Sequence, residues 1–176
     1  CCQPNSQSPP VSIAKLNSET KHRMFADLPI IDLRVFSYFS RFVDMEAGYL
    51  ITGMMKCVKD GSEFVTNAED IVRDYVVPSE LYSLIVHCIE SVPANTALDV
   101  RSIRPVRKFE LIDYFKERFG MTARVEGGFV VSNASGDKMN YYSVNESALK
   151  VGFAPSLTSL EGIDFEIRKM DGYNRT

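Results

Sequence analysis

The feature that most constrains this chain is its alternation of short β-rich runs with amphipathic helical segments. The run Ile30-Ile31-Asp32-Leu33-Arg34-Val35-Phe36, placed just after Pro29, has the composition of a mostly buried strand. Pro78-Ser79 opens the clearest helix, in which Leu81, Leu84, Ile85, Cys88 and Ile89 recur at i, i+3, i+4, i+7 and i+8, with Ser79 the expected N-cap. Apolar spacing predicts further helices over 12–25, 46–59, 108–119 and 159–170; Gly61 and Gly120 stand just beyond two of them as stops. Strands are expected over 63–66, 72–77, 96–101 and 121–126, and a polar loop over 127–137. Two capping-box patterns, Ser143 with Glu146 and Thr158 with Glu161, mark expected helix starts. Strands interleaved with helices make this an α/β chain: a flexible lead-in over 1–10, then one α/β domain over 11–176.

Bulk properties narrow the function classes. The 176 residues suffice for one well-filled domain. A net charge of −3 gives no electrostatic reason to expect nucleic acid or an anionic membrane as partner. A phosphate-bearing small ligand stays open, because a few local Arg side chains suffice for it. No apolar run is long enough for a transmembrane helix. The start, Cys1-Cys2-Gln3-Pro4, has neither the basic flank nor the apolar core of a signal peptide. Lacking an initiator Met, it reads as a processed, cut or incomplete chain. Cys1, Cys2, Cys57 and Cys88 fit no zinc spacing, and His22 and His87 stand far apart, so no metal is expected. Buried free thiols at Cys57 and Cys88, in a reducing cytoplasm, are the simplest expectation.

Three segments could carry chemistry. In the first, Lys15 and Glu19 stand four apart on a predicted helix, the spacing of a solvated pair. In the second, Arg73 precedes Asp74 and Tyr75; its planar fork suits a phosphate, although a surface Arg73–Asp74 pair is the plainer alternative. In the third, Gly152-Phe153-Ala154-Pro155 leads into the Thr158 cap, which taken alone is turn chemistry.

Taken in order, these segments resemble the C-terminal half of the extended short-chain dehydrogenase/reductases, the NAD-dependent nucleotide-sugar epimerases and dehydratases. The resemblance runs from Val11 to about Met170. It implies a partial Rossmann-like fold: the last two parallel strands of the sheet, about 30–36 and 96–101, plus a small substrate-binding layer. That family carries Tyr-x-x-x-Lys on its active-site helix, where Lys holds the nicotinamide ribose and lowers the Tyr pKa. Lys15 matches the Lys, as a catalytic and cofactor-binding residue, and Glu19 the acid that follows. The Tyr position is Val11, whose aliphatic side chain cannot exchange a proton. The family's Arg-x-Phe-Asn-x-Tyr-Gly-Pro-like run corresponds to Arg34-Val35-Phe36-Ser37-Tyr38-Phe39-Ser40-Arg41. Ser37 replaces the substrate-contacting Asn, and Ser40-Arg41 replaces Gly-Pro. Arg73 matches the Arg that grips the nucleotide diphosphate, so Arg73, Ser37 and Tyr38 are the substrate-binding residues the resemblance implies. Ser79-Glu80-Leu81 takes the place of Asp-Asp-Leu.

The family's phosphate-binding Gly-x-x-Gly-x-x-Gly is absent: the one adjacent glycine pair, Gly127-Gly128, sits in a polar loop. NAD or NADP is therefore implied by the family with an incomplete site in this chain. A strand at 30–36 without its upstream neighbour has an open edge, which predicts self-association through that edge or through the helix at 12–25, like a homodimer. Three readings follow. One is the sugar-nucleotide-binding portion of an epimerase, dehydratase or reductase, inactive alone; another is a non-catalytic sugar-nucleotide-binding or interaction module of the same descent. The third is an unrelated α/β domain.

Overall fold

A computed structural model describes residues 10–92, 94–127 and 140–173, the side chains of 10–12 excepted. Helix α1 (Pro10–Met24) leads into strand β1 (Ile31–Val35) and the short β2 (Ser37–Tyr38). Then come α2 (Leu50–Asp60), β3 (Phe64–Thr66), β4 (Val72–Arg73) and β5 (Tyr75–Val76). The middle holds α3 (Pro78–Glu90), β6 (Thr96–Val100), β7 (Val106–Arg107) and α4 (Lys108–Phe119). β8 (Ala123–Val125), β9 (Asn140–Tyr141), a 3-10 turn (Ser147–Val151) and α5 (Ser159–Ile167) follow. The architecture is α/β.

β1 and β6 form a parallel pair in the register Leu33↔Leu98. No other described strand pairs with β1. Because side chains alternate across a strand, Ile31 and Leu33 face the apolar cluster of Leu84, Leu98, Val100 and Phe153, while Asp32 and Arg34 bond to α1. That alternation explains why α1 and α3 lie on opposite faces. A second, larger cluster joins α2, α4 and α5 through Met54, Met55, Leu111, Phe115, Ile163 and Ile167. Phe109 and Phe119 pack against it from the inward face of α4, as their spacing predicts.

Several expectations are corrected. The strand expected over 72–77 is two strands, β4 and β5, which serve different sheets: β4 pairs with β7 and β9, β5 with β2. They part at Asp74, whose side chain turns inward to Ser102 and Ser159. α2 begins at Leu50 rather than near Glu46, because Gly48 takes a left-handed backbone conformation (φ 65°) that no helix accommodates. The N-cap of α3 is Val77, not Ser79; Pro78 takes the first helical position, where its preset φ fits and its missing N–H costs nothing. Ser143 caps no helix: its hydroxyl donates to Asp99 and accepts from the Asn145 amide. The Thr158–Glu161 capping box is formed as expected. Only half of the apolar stripe on α3 is covered, for Leu84 is buried whereas Ile89 is 76% exposed.

Candidate functional site

The chain leaves β1, passes through Phe36 and pairs β2 alongside β5, with Ser37 opposite Tyr75 and Tyr38 opposite Val76. This crossing opens a cavity of about 610 Å³ between the β2–β5 pair and the start of α2. Ser37, Tyr38, Phe42, Tyr49, Arg73 and Tyr75 border it. Three residues expected at the site from sequence, Ser37, Tyr38 and Arg73, thus meet at one cavity.

Arg73 is not the surface partner of Asp74. It is 4% exposed, and its guanidinium donates to the Val72 carbonyl at 3.0 Å. Burial pulls its pKa down from the ordinary guanidinium value, while Tyr75 and Tyr141 hold it up. A buried cation on a cavity wall is suited to an anionic group that enters without its full water shell. Burial pushes the Tyr75 phenol up to about 12, which keeps it neutral and able to donate a hydrogen bond at neutral pH.

Lys15 lies elsewhere. It is exposed on α1 and does not border the cavity. Glu19 bonds not to Lys15 but to Arg34, whose Nε donates to Glu19 at 2.9 Å and whose Nη1 donates to Asp99 at 3.1 Å. The backbone of Val11 belongs to α1, and its side chain lies outside the described residues, as do Cys1, Cys2 and Gly128. The glycines do not form a pyrophosphate cradle among the described residues: Gly61, Gly120 and Gly152, all at positive φ, close helices instead of opening them. The described residues therefore do not by themselves fit a dinucleotide.

Sequence reasoning missed Phe42, Tyr49 and Tyr75 at the cavity. It also missed the pair that holds the loop beside it, half-buried Arg41 with buried Glu166, which are 125 residues apart in the chain. A smaller cavity of about 130 Å³ adjoins at Tyr49 and Leu50. Lys108, 3% exposed, borders it and donates to the Asn67 carbonyl and side-chain oxygen, both at 2.7 Å. Burial lowers the Lys108 pKa from its ordinary value.

Solved structures share this fold. A dTDP-glucose 4,6-dehydratase from Bacillus anthracis, in complex with NAD, superposes with a TM-score of 0.73 at 16% identity, over 93% of this chain and 52% of that one. A UDP-glucose 4-epimerase from Thermotoga maritima, with UDP-glucose, gives 0.70 at 18% identity over 88% and 50%. A UDP-glucuronic acid 4-epimerase variant from Bacillus cereus, bound to NAD and a fluorinated UDP-sugar, gives 0.72 at 13% identity over 94% and 55%. The chain has the fold of half of these enzymes. It is a partial Rossmann-like α/β fold, and the chain spans about half their length. No protein-family model matches the chain. No curated protein matches it either.

Proposed function

We propose that this chain is the substrate-binding portion of an NAD-dependent nucleotide-sugar epimerase, dehydratase or reductase, holding a nucleotide-diphosphate sugar and inactive by itself. The observation that carries the proposal is the convergence of Ser37, Tyr38 and the buried Arg73 on one cavity of about 610 Å³. That volume falls within the roughly 300–1,000 Å³ of small-molecule pockets. The fold shared with enzymes solved in complex with UDP-glucose and NAD supports the ligand class. In this proposal Arg73 meets the diphosphate and Ser37 and Tyr38 meet the sugar. Lys15 is the residue that would reach a nicotinamide ribose, with the remaining cofactor contacts supplied from outside this chain.

Calorimetric titration of UDP- and dTDP-sugars tests the proposal. Binding should weaken about tenfold or more in Arg73→Ala, since a hydrogen bond to a charged group contributes about 1.5–3 kcal/mol. Arg73→Lys, which keeps the charge but loses the fork, should fall between. Wild-type affinity retained in Arg73→Ala overturns the pocket assignment. A second reading, a non-catalytic binding module of the same descent, is favoured by Val11 at the position of the acid/base Tyr. Mixing the chain with the upstream half of a related enzyme separates the two. Recovered turnover supports the enzyme portion, and binding without turnover supports the module.

A further inference from the structure

Phe42 is 86% exposed, yet the turn that carries it is held at five points. Within the turn, the Phe42 amide donates to the Ser40 hydroxyl at 3.2 Å, and the Val43 amide to the Ser40 carbonyl at 3.0 Å. Across the fold, the Arg41 amide, Nε and Nη2 each donate to the Glu166 carboxylate at 2.9 Å. Glu166 is 0% exposed on α5, and Phe39, one residue before the turn, is 2% exposed in the core. A single exposed Phe on a mobile loop needs no explanation. Here the side chain stands on an over-determined turn that borders the cavity. Tyr49 (49% exposed) and Tyr38 (48% exposed) border the same cavity.

We infer that Phe42 is a ligand-contact residue that stacks on a ring of the bound nucleotide sugar, with Arg41 and Glu166 as the positioning pair that presents it. The inference rests on the nucleotide-sugar reading of the same cavity and adds to it a specificity-determining residue. Aromatic faces that border one cavity with a buried guanidinium suit a molecule that joins a ring to an anionic group. A nucleobase and a pyranose both offer such a ring. A rigid turn contributes because little side-chain or loop freedom is lost when the ligand docks.

The test is calorimetry on the full chain with four probes: UDP-glucose, UDP, glucose 1-phosphate and inorganic pyrophosphate. Phe42→Ala should weaken UDP-glucose about tenfold while leaving pyrophosphate affinity and the melting temperature unchanged, because the side chain is exposed. Loss on UDP assigns the stacked ring to the base, and loss on glucose 1-phosphate assigns it to the sugar. Phe42→Trp should retain affinity and report binding through its emission, the chain having no tryptophan of its own. Arg41→Gln, made together with Glu166→Gln so that no lone charge stays buried, should reproduce the ring-selective loss. UDP-glucose affinity unchanged in Phe42→Ala overturns this inference alone, as does an equal loss on pyrophosphate. Failure of the wild type to bind any of the four probes overturns both this inference and the nucleotide-sugar reading.

Discussion

Asp74 is 1% exposed and joins three segments of chain. One carboxylate oxygen accepts the Ser102 amide at 3.0 Å and the Ser159 hydroxyl at 3.2 Å, while the other has no hydrogen-bond partner among the described residues. Burial pushes its pKa above the ordinary carboxylate value, and the Ser102 and Ser159 hydrogen bonds pull it partly back. The native state therefore holds the proton more tightly than the unfolded chain does. The associated stability is complete below the unfolded value, near 3.9, and is lost as pH rises through the higher folded value. Asp74→Asn keeps an acceptor for Ser102 and loses the buried charge. Urea denaturation at about pH 5 and about pH 8 should show a flatter pH dependence and greater stability at the higher pH in this variant. An unaltered slope would contradict the assignment. Asp74→Ala removes the acceptor altogether, and stability should fall by about 1–3 kcal/mol. Glu166 behaves in the opposite sense. Burial pushes its carboxyl up, but hydrogen bonds from Arg41 outweigh that and hold it below the ordinary value. Its contribution is present above the unfolded pKa and lost as pH falls through the folded one.

The elements are held in two different ways. α4 is fixed by burial: Phe115 is 0% exposed among Met54, Met55 and Ile163. Phe115→Ala should cost about 3–5 kcal/mol, read from the urea midpoint, through lost transfer energy and the cavity left behind. α1 is fixed by polar contacts. Asp32 takes His22 Nδ1 at 2.7 Å and also Arg23, and Arg34 takes Glu19, while Ile13, Leu16 and Met24 stay more than half exposed. Ion pairs that stay partly open to water, as these do, are weak and screened by salt. Hydrogen exchange should therefore be faster in α1 than in α4. About 1 M salt or Asp32→Ala should accelerate it further in α1 only. Equal protection of the two helices would show that α1 is anchored by something other than these pairs.

At the scale of the whole molecule, the β1–β6 pair is a two-stranded parallel sheet, and β1 has no second partner among the described strands. Two strands alone are marginal, and an open edge pairs readily with another chain. Val35 on that strand is 36% exposed, and Leu16 on α1 is 55% exposed. Light scattering at micromolar concentration should find dimers or larger species, reduced by Val35→Lys if the edge carries the contact and by Leu16→Lys if the helix does. A monomer under those conditions would count against self-association. In the proposed enzyme reading, the other half of the fold would pair along this same open edge.

Periodicity in the sequence determined the strand at β1, the inward face of α4, the Thr158 cap and the α/β class, because these depend on neighbours a few residues apart. β1 is not the mostly buried strand expected there, because Asp32 and Arg34 alternate with Ile31 and Leu33 and meet α1, and Arg34 and Val35 are exposed. Tertiary structure alone decided that Arg73 is buried while Lys15 is exposed, since nothing in either residue's local sequence distinguishes them. It also decided that the run from Val72 to Val77 divides between two sheets, a choice made by strands more than 25 residues away on either side. The Arg41–Glu166 pair was invisible for the same reason. Its two residues meet only once α5 has docked against β5, and burial, which sets the strength of each charge, exists only after that packing is complete.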